Sequence, residues 1–450
     1  MMIRALKALM LCAAFAAIAA SAQKLAPTPP MGWNSWDAYG LTLNEEQFRA
    51  NAQVLVGLKS YGWNYGVIDE GWYFADPQAR PEARKSSWDS NGRLIPDAVR
   101  FPSAANGAGF KPLADWTHSQ GLKFGIHILR GIPRGVVSEN LPVANSDFHA
   151  SDVADTSDTC PWDNGNFGVR ANPAGQAFYD SMMRLYASWG VDFLKVDCIA
   201  DHPYKGDEIR MIAQAIKNAR RPIVLSLSPG PTDLGHAAEV AEYSQMWRIA
   251  DDIWDGWDFR AGQFPQGIHS AFDNLAKWAK YAKPGNWPDA DMLPWGSLTP
   301  HPGWGQPRQS RISQDEERTQ FTLWAISRSP LILGANLTKL DEFTRSLITN
   351  KEVIAIDQTA ASSAEIPGDT ADSAGVRIWS ATTGGSRARR YLAVFNLQDS
   401  PLQKDLVWPA SLAGGLHAVY EIWSQRTIPS AAALHVELLP HGCAVFRIER

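Results

Sequence analysis

Eight short apolar runs, separated by segments of helical periodicity, fill residues 31 to about 340. The runs are MGWNSW (31–36), YGVIDEGW (65–72), KFGIHIL (123–129), VDFLKVD (191–197), PIVLSLSP (222–229), QMWRIADD (245–252), GNWPDADML (285–293) and PLILGANL (330–337). Segments such as EEQFRANAQVLVGLKSY, AGQAFYDSMMRLYASWG and DEIRMIAQAIKNARR between them carry apolar residues at helical spacing, and several stop at Gly or before Pro. Short strands alternating with helices must pair in parallel, and eight such units predict an α/β chain folded as a (β/α)8 barrel, the TIM barrel.

After about residue 353 the pattern changes. VRIWSAT, RYLAVFNL, DLVWPA, HAVYEIWS and CAVFRIE alternate polar and apolar residues, with turn residues between and no convincing helix. This predicts a small C-terminal antiparallel β-sandwich covering 353–450, behind a barrel covering 23–352. The expected role of the sandwich is to cover barrel helices. A long loop rich in Ser, Asp and Asn, residues 130 to 172, is expected to shape the pocket. Its SDVADTSD stretch lacks EF-hand spacing, so no metal site is assigned there.

The first 22 residues read as a secretory signal: Arg4 and Lys7, an apolar run, then Ala20-Ser21-Ala22. The run is short for a membrane span, and no other stretch suits one. The mature chain is expected to be secreted or periplasmic. Loss of Cys12 with the signal leaves Cys160, Cys198 and Cys443, an odd count that suggests one pair and one thiol. A formal net charge of -5 without a clustered basic patch gives no nucleic-acid surface.

Polar residues gather at one end of the predicted strands. Asp69 and Glu70, His127, Lys195 and Asp197, Ser228, Arg248 with Asp251 and Asp252, and Asp289 with Asp291 all stand at C-terminal strand ends. In a parallel barrel that face carries the active site. Two unpaired carboxylates facing one pocket suit glycoside hydrolysis: one attacks the anomeric carbon or activates water, and the other protonates the leaving oxygen. Lys195 lies two residues before Asp197, on the same strand face, and favours its ionised form. That makes Asp197 the better nucleophile and Asp252 the candidate acid, the latter expected to be held protonated by partial burial and neighbouring charge. The 19 Trp include several beside Gly, Asn or Asp, and flat rings of that kind can stack on sugar faces.

The motifs PPMGWNSWDAYG, VIDEGW, FLKVDC, WRIADDIWD and NWPDADML, in that order over about residues 27 to 340, resemble glycoside hydrolase family 27, the retaining α-galactosidases and α-N-acetylgalactosaminidases. The resemblance implies Asp197 as nucleophile, Asp252 as acid/base, and substrate contacts from Trp33 at the pocket floor, Asp69, Lys195 and Arg248. Asp289 and Asp291 would support these from behind. It implies a carbohydrate partner with a terminal galacto-configured sugar, no cofactor, no metal, and no nucleic acid or membrane. A Cys160–Cys198 disulfide is also implied. Three positions depart from the family pattern: Glu70 replaces the second Asp of a pair, His127 stands where Tyr is common, and Ser228 where Glu is frequent. The expected activity is release of α-D-galactose by double displacement. The longer Glu70 makes β-L-arabinopyranose, which has the same ring configuration without C6, the alternative; α-N-acetylgalactosamine and a non-catalytic sugar-binding barrel are the others.

Overall fold

The computed structural model describes residues 25–80, 83–259, 264–299, 306–367, 375–385, 388–408, 418–429 and 433–449. The expected signal segment, 1–22, lies outside them. All eight predicted strands form: β1 (Met31–Asn34), β2 (Tyr65–Ile68), β3 (Lys123–Leu129), β4 (Phe193–Asp197), β5 (Val224–Leu227), β6 (Met246–Arg248), β7 (Trp287–Asp289) and β8 (Leu331–Leu333). They make one sheet, ordered β7-β6-β5-β4-β3-β2-β1-β8, with every pair parallel. The chain just past β7 closes the ring onto β8, where the Leu293 N–H donates to Ile332 O at 2.8 Å and the Gly334 N–H to Leu293 O at 3.0 Å.

Strand alternation sorts the side chains into two layers. Tyr65, Val67, Phe193, Val224, Met246, Trp287 and Ile332 pack together inside the barrel. The residues of opposite parity, including Ile126, Ile128, Leu194, Val196, Leu225, Leu227, Trp247 and Leu333, belong to the main core between strands and helices. Continuing the inward parity to the strand ends brings Asp69, His127, Lys195, Asp197, Ser228, Arg248 and Asp289 toward the barrel axis. Gly32 is required on β1 because a Cβ there would come within 2.3 Å of Tyr65 O on β2.

The helices of the outer layer are α1 (Glu45–Leu58), α2 (Lys111–Ser119), α3 (Pro173–Trp189), α4 (Gly206–Ala219), α5 (Ala237–Tyr243), α6 (Ile268–Trp278), α7 (Gln314–Ser327) and α8 (Lys351–Thr359). Local chemistry sets their ends. Asn44 and Gln47 form a capping box on α1, Asn172 caps α3 ahead of Pro173, and α3 stops at left-handed Gly190. Two differ from the sequence expectation. The seven residues of α5 give too few turns for periodicity to register. Helix α8 runs across the expected 352/353 boundary, and the C-terminal strands start at Ala360.

The loop expected over 130–172 is more ordered than its composition suggests. It holds a three-stranded antiparallel sheet of Ile132–Pro133, Asn166–Val169 and Ala154–Thr159. Two short helices, Arg134–Ser138 and Ala150–Val153, accompany it. The acidic SDVADTSD stretch is consumed locally: Asp155 accepts from Ser157, while Asp158 pairs with Arg130 and Lys205.

Beyond α8, six strands form one antiparallel sheet, and Leu402–Val407 with Ala433–Leu438 form a second. Val376, Leu392, Val394, Leu406, Val436 and Phe446 fill the space between them, so the predicted sandwich is present. The outer face of the larger sheet packs on the barrel. Phe395 meets Phe272 of α6 with ring centroids 5.2 Å apart, and Arg447 pairs with Glu352 of α8 at 2.6 Å.

Candidate active site

A cavity of about 710 Å³ opens at the C-terminal end of the barrel strands and is lined by Trp36, Asp69, Glu70, Lys195, Asp197, Ser228, Asp251 and Asp252, among others. Seven of these eight were singled out as candidate ligands, catalysts or strand-end polar groups from sequence, and they arrive from four different strand ends: β2, β4, β5 and β6.

Asp197 ends β4 beside Leu129 of β3. Its Oδ1 accepts the Cys198 N–H at 2.8 Å, and its Oδ2 faces His127 Nε2 at 3.6 Å. Burial alone would push this carboxyl up. The His127 interaction, the Lys195 charge and the Cys198 N–H more than offset it and hold Asp197 below the usual carboxylate range. Asp197 is thus kept ionised. Cys198 has φ 60°, a left-handed conformation for a residue with a side chain, and it is bonded to Cys160. The expected disulfide is therefore present, closing a separation of 38 residues, and Cys443 is the free thiol.

Asp69 follows β2. Its Oδ2 accepts from Asn34 Nδ2 at 2.6 Å and from Lys195 Nζ at 2.9 Å. Burial opposes its charge, but Lys195, His127 and the Glu70 N–H hold it well below the carboxylate range. Lys195 is driven above its ordinary value in turn: burial opposes the ammonium, and Asp69 and Asp197 outweigh burial. Glu70 has no such compensation. Burial pushes it up to about 8, against the pull of His127 and with the charges of Asp163, Asp197 and Asp69 adding to the rise. At neutral pH it is a neutral acid that can donate a hydrogen bond.

On the opposite wall, Arg248 Nη2 meets Asp252 Oδ1 at 3.1 Å, and Arg248 Nη1 meets Asp291 Oδ1 at 2.9 Å. Asp291 also accepts the Ile253 N–H at 2.7 Å, so it fixes both the guanidinium and the peptide after Asp252. Burial lifts Asp291 to about 7 against the pull of Arg248. Asp289 accepts the Asp291 N–H at 2.9 Å and is likewise raised by burial. Neither lines the cavity, and both are buried.

Three expectations change. Trp33 is fully buried on the helix-facing side of β1, tilted against Phe48 of α1, with its Nε1 donating to Ala335 O at 2.8 Å. Its parity is opposite to that of inward Asn34, so it cannot reach the floor; Trp36, after the strand, lines the cavity instead. His127, 1% exposed, lies beneath Asp69 and Asp197 and supports them from below rather than lining the cavity. Asp252, expected to be held protonated by partial burial and the neighbouring nucleophile charge, has instead a cation, Arg248, as its partner. Arg248 itself is buried with both arms engaged.

Other residues of the site were not foreseen. Asp37 is buried, with Oδ2 lacking a hydrogen-bond partner among the described residues, and burial followed by Asp291 and Asp252 raises it well above the carboxylate range. Trp162, Asp163, Arg84 and His202 complete the cavity wall. Behind Asp197, Arg130 donates its backbone N–H to Asp197 O at 3.1 Å and its Nε to Cys198 O at 2.6 Å. The same guanidinium pairs with Glu208 at 2.8 Å and Asp158 at 2.9 Å. No local motif marks these; each becomes a site residue through a partner distant in sequence.

The family model described as "Alpha galactosidase A" matches residues 28–136 and 160–359, and that of the "Alpha galactosidase C-terminal beta sandwich domain" matches 373–448. Alpha-galactosidase A of Cellvibrio japonicus is 32% identical over 351 residues, 76% of this chain and 70% of the relative. A family 27 β-L-arabinopyranosidase from Geobacillus stearothermophilus superposes with a TM-score of 0.87 at 39% identity, covering 94% of this chain and 97% of that one. Alpha-galactosidase I from Mortierella vinacea shares the fold, with a TM-score of 0.71 at 24% identity over 94% of this chain and 97% of that one. The chain belongs to glycoside hydrolase family 27, the α-galactosidase family of O-glycosyl hydrolases.

Proposed function

We propose that this glycosidase is a retaining enzyme that prefers terminal β-L-arabinopyranosides and cleaves α-D-galactosides more slowly. Asp197 attacks the anomeric carbon while Asp252 gives its proton to the departing oxygen, forming a covalent glycosyl-Asp197 ester. Asp252 then takes a proton from water, which attacks the same carbon from the face the aglycone left; the Asp197 bond breaks and configuration is retained. Lys195 and Asp69 form a charged pair at the wall that binds sugar hydroxyls.

The observation that carries the choice of sugar is Glu70, on the cavity wall next to Asp69. The two sugars share ring configuration and differ only by the C6 hydroxymethyl. A side chain one methylene longer than Asp fills the space that this group needs, and its neutral carboxyl near pH 7 adds a donor without repelling Asp69. The 39% identity to a β-L-arabinopyranosidase over nearly the whole chain supports the same reading. A panel of p-nitrophenyl β-L-arabinopyranoside, α-D-galactoside and α-N-acetylgalactosaminide tests it. The highest kcat/KM is expected on the first, and a clear preference for either of the others would overturn the assignment.

We also propose that the protein is exported. Residues 1–22 have the make-up of a secretory signal. The Cys160–Cys198 bond fits an oxidising compartment. N-terminal sequencing of the mature protein should start at Gln23; an intact N-terminus on cytosolic protein would overturn this.

A further inference from the structure

Trp162 is 50% exposed, one of few large apolar side chains so open to water among the described residues, and it lies on the wall of the cavity that holds Asp197 and Asp252. Leaving a large apolar ring in solvent forgoes the gain of burying it, and such groups at a cavity rim mark ligand contacts. The ring is also anchored. It stands two residues after Cys160, whose partner Cys198 directly follows Asp197. The indole is thereby tied to the nucleophile through one covalent bridge. Asp163 and Arg84 lie on the same wall and offer an acceptor and donors to hydroxyl groups. A volume of about 710 Å³ exceeds the needs of a single pentopyranose held by Asp69, Lys195 and Asp197.

We propose that Trp162, flanked by Asp163 and Arg84, is a subsite for the sugar ring of the leaving group. The indole stacks on the C–H face of that ring while its hydroxyls meet the flanking polar groups. The enzyme is therefore built for a terminal sugar linked to another sugar and acts less well on small alkyl glycosides. Trp suits the task because a rigid ring with two side-chain torsions loses little entropy on contact. The proposal rests on the glycosidase reading with Asp197 and Asp252.

The test compares leaving groups of similar basicity that differ in whether they carry a ring. Methyl β-L-arabinopyranoside is set against 3-O-β-L-arabinopyranosyl-L-arabinose, and methyl α-D-galactoside against melibiose, for wild type, Trp162→Ala and Trp162→Phe. Wild type should favour the disaccharide of its preferred pair. Trp162→Ala should raise the disaccharide KM about tenfold, the scale of one lost aromatic contact, with a much smaller change for the methyl glycoside. Trp162→Phe should recover part of the difference. Equal changes on both members of a pair, or none, would overturn the subsite while leaving the hydrolase reading intact. Wild type inactive on all four substrates would overturn both.

Discussion

His127 Nε2 stands 3.6 Å from Asp197 Oδ2, beneath the cavity and almost wholly out of water. Burial works against the imidazolium, yet Asp69 and Asp197 outweigh it, so the ring sits above its ordinary value and lends Asp197 positive charge. His127→Ala removes that charge and lets burial raise the Asp197 carboxyl. If Asp197 is the nucleophile, as proposed, it must be ionised to attack, so the acidic limb of kcat/KM should move to higher pH. The loss at neutral pH should be about tenfold for each pKa unit by which the Asp197 carboxyl rises above the working pH. The same sign governs stability: the depressed Asp197 stabilises the fold above its unfolded value and loses that contribution as pH falls through its folded value. An unmoved acidic limb in the variant would show that His127 does not tune the nucleophile.

Asp252 faces the cavity while held by Arg248. If it supplies the leaving-group proton, Asp252→Ala should cost about 10²–10⁴-fold on a disaccharide and far less on a dinitrophenyl glycoside, whose phenolate leaves without help. The discriminating measurement is kcat/KM across leaving groups of graded acidity. Equal losses on good and poor leaving groups would assign the acid/base role elsewhere.

Position 70 should set the sugar. Glu70→Asp opens space at C6 and should raise α-D-galactoside kcat/KM relative to β-L-arabinopyranoside; an unchanged ratio would remove Glu70 as the discriminator. Glu70 also makes a pH signature. Its carboxyl rises from 4.5 to about 8 on folding, so the folded state holds a proton that the unfolded state has released. Its stabilising contribution is full below the unfolded value and fades as pH climbs to about 8. Glu70→Gln should flatten that fall in a series of urea melts over the same pH range.

The Cys160–Cys198 bond closes a separation of 38 residues. By chain entropy such a loop contributes about 3–4 kcal/mol. Cys160→Ser should lower stability by an amount of that order in denaturant unfolding. An unreduced digest should yield the two peptides joined, and separate free thiols would contradict the pairing.

Arg130 is 2% exposed and binds Cys198 O, Glu208 and Asp158 together. Removing one partner of a buried ion pair leaves a charge without compensation and costs about 3–5 kcal/mol. Arg130→Ala should therefore unfold near the limit of the protein's stability, with kcat/KM falling as the peptide after Asp197 loses its support. Stability within 1 kcal/mol of wild type, a margin ordinary for surface sites, would mean that water replaces the guanidinium.

The barrel was legible because its signals are local. Each strand announces itself as a short apolar run, and strict alternation decides which side chains face the axis; Asp69, Lys195, Asp197 and Ser228 reach the cavity by that rule alone. Parity also explains Trp33, which a motif placed at the pocket floor although it is out of phase with inward Asn34 on β1. The strands Ala360–Ile366, Arg426–Pro429 and Ala433–Leu438 are not among the predicted ones; the first two carry little apolar pattern, whereas in the third Leu434, Val436 and Leu438 alternate with exposed residues, a signal the sequence did hold.

By itself the sequence determined the fold class, the C-terminal cluster of polar residues and the two carboxylates, all of which follow from residue type and spacing within a few positions. Tertiary structure alone decided the electrostatics and the walls. Lys195 finds Asp69 from 126 residues away, Arg130 finds Glu208 from 78, and Arg308 finds Asp255 from 53. Whether a carboxyl on this wall is neutral, like Glu70, or ionised, like Asp69, depends on which cation the folded chain brings within a few ångströms, because loss of solvent penalises charge and only a close partner offsets it.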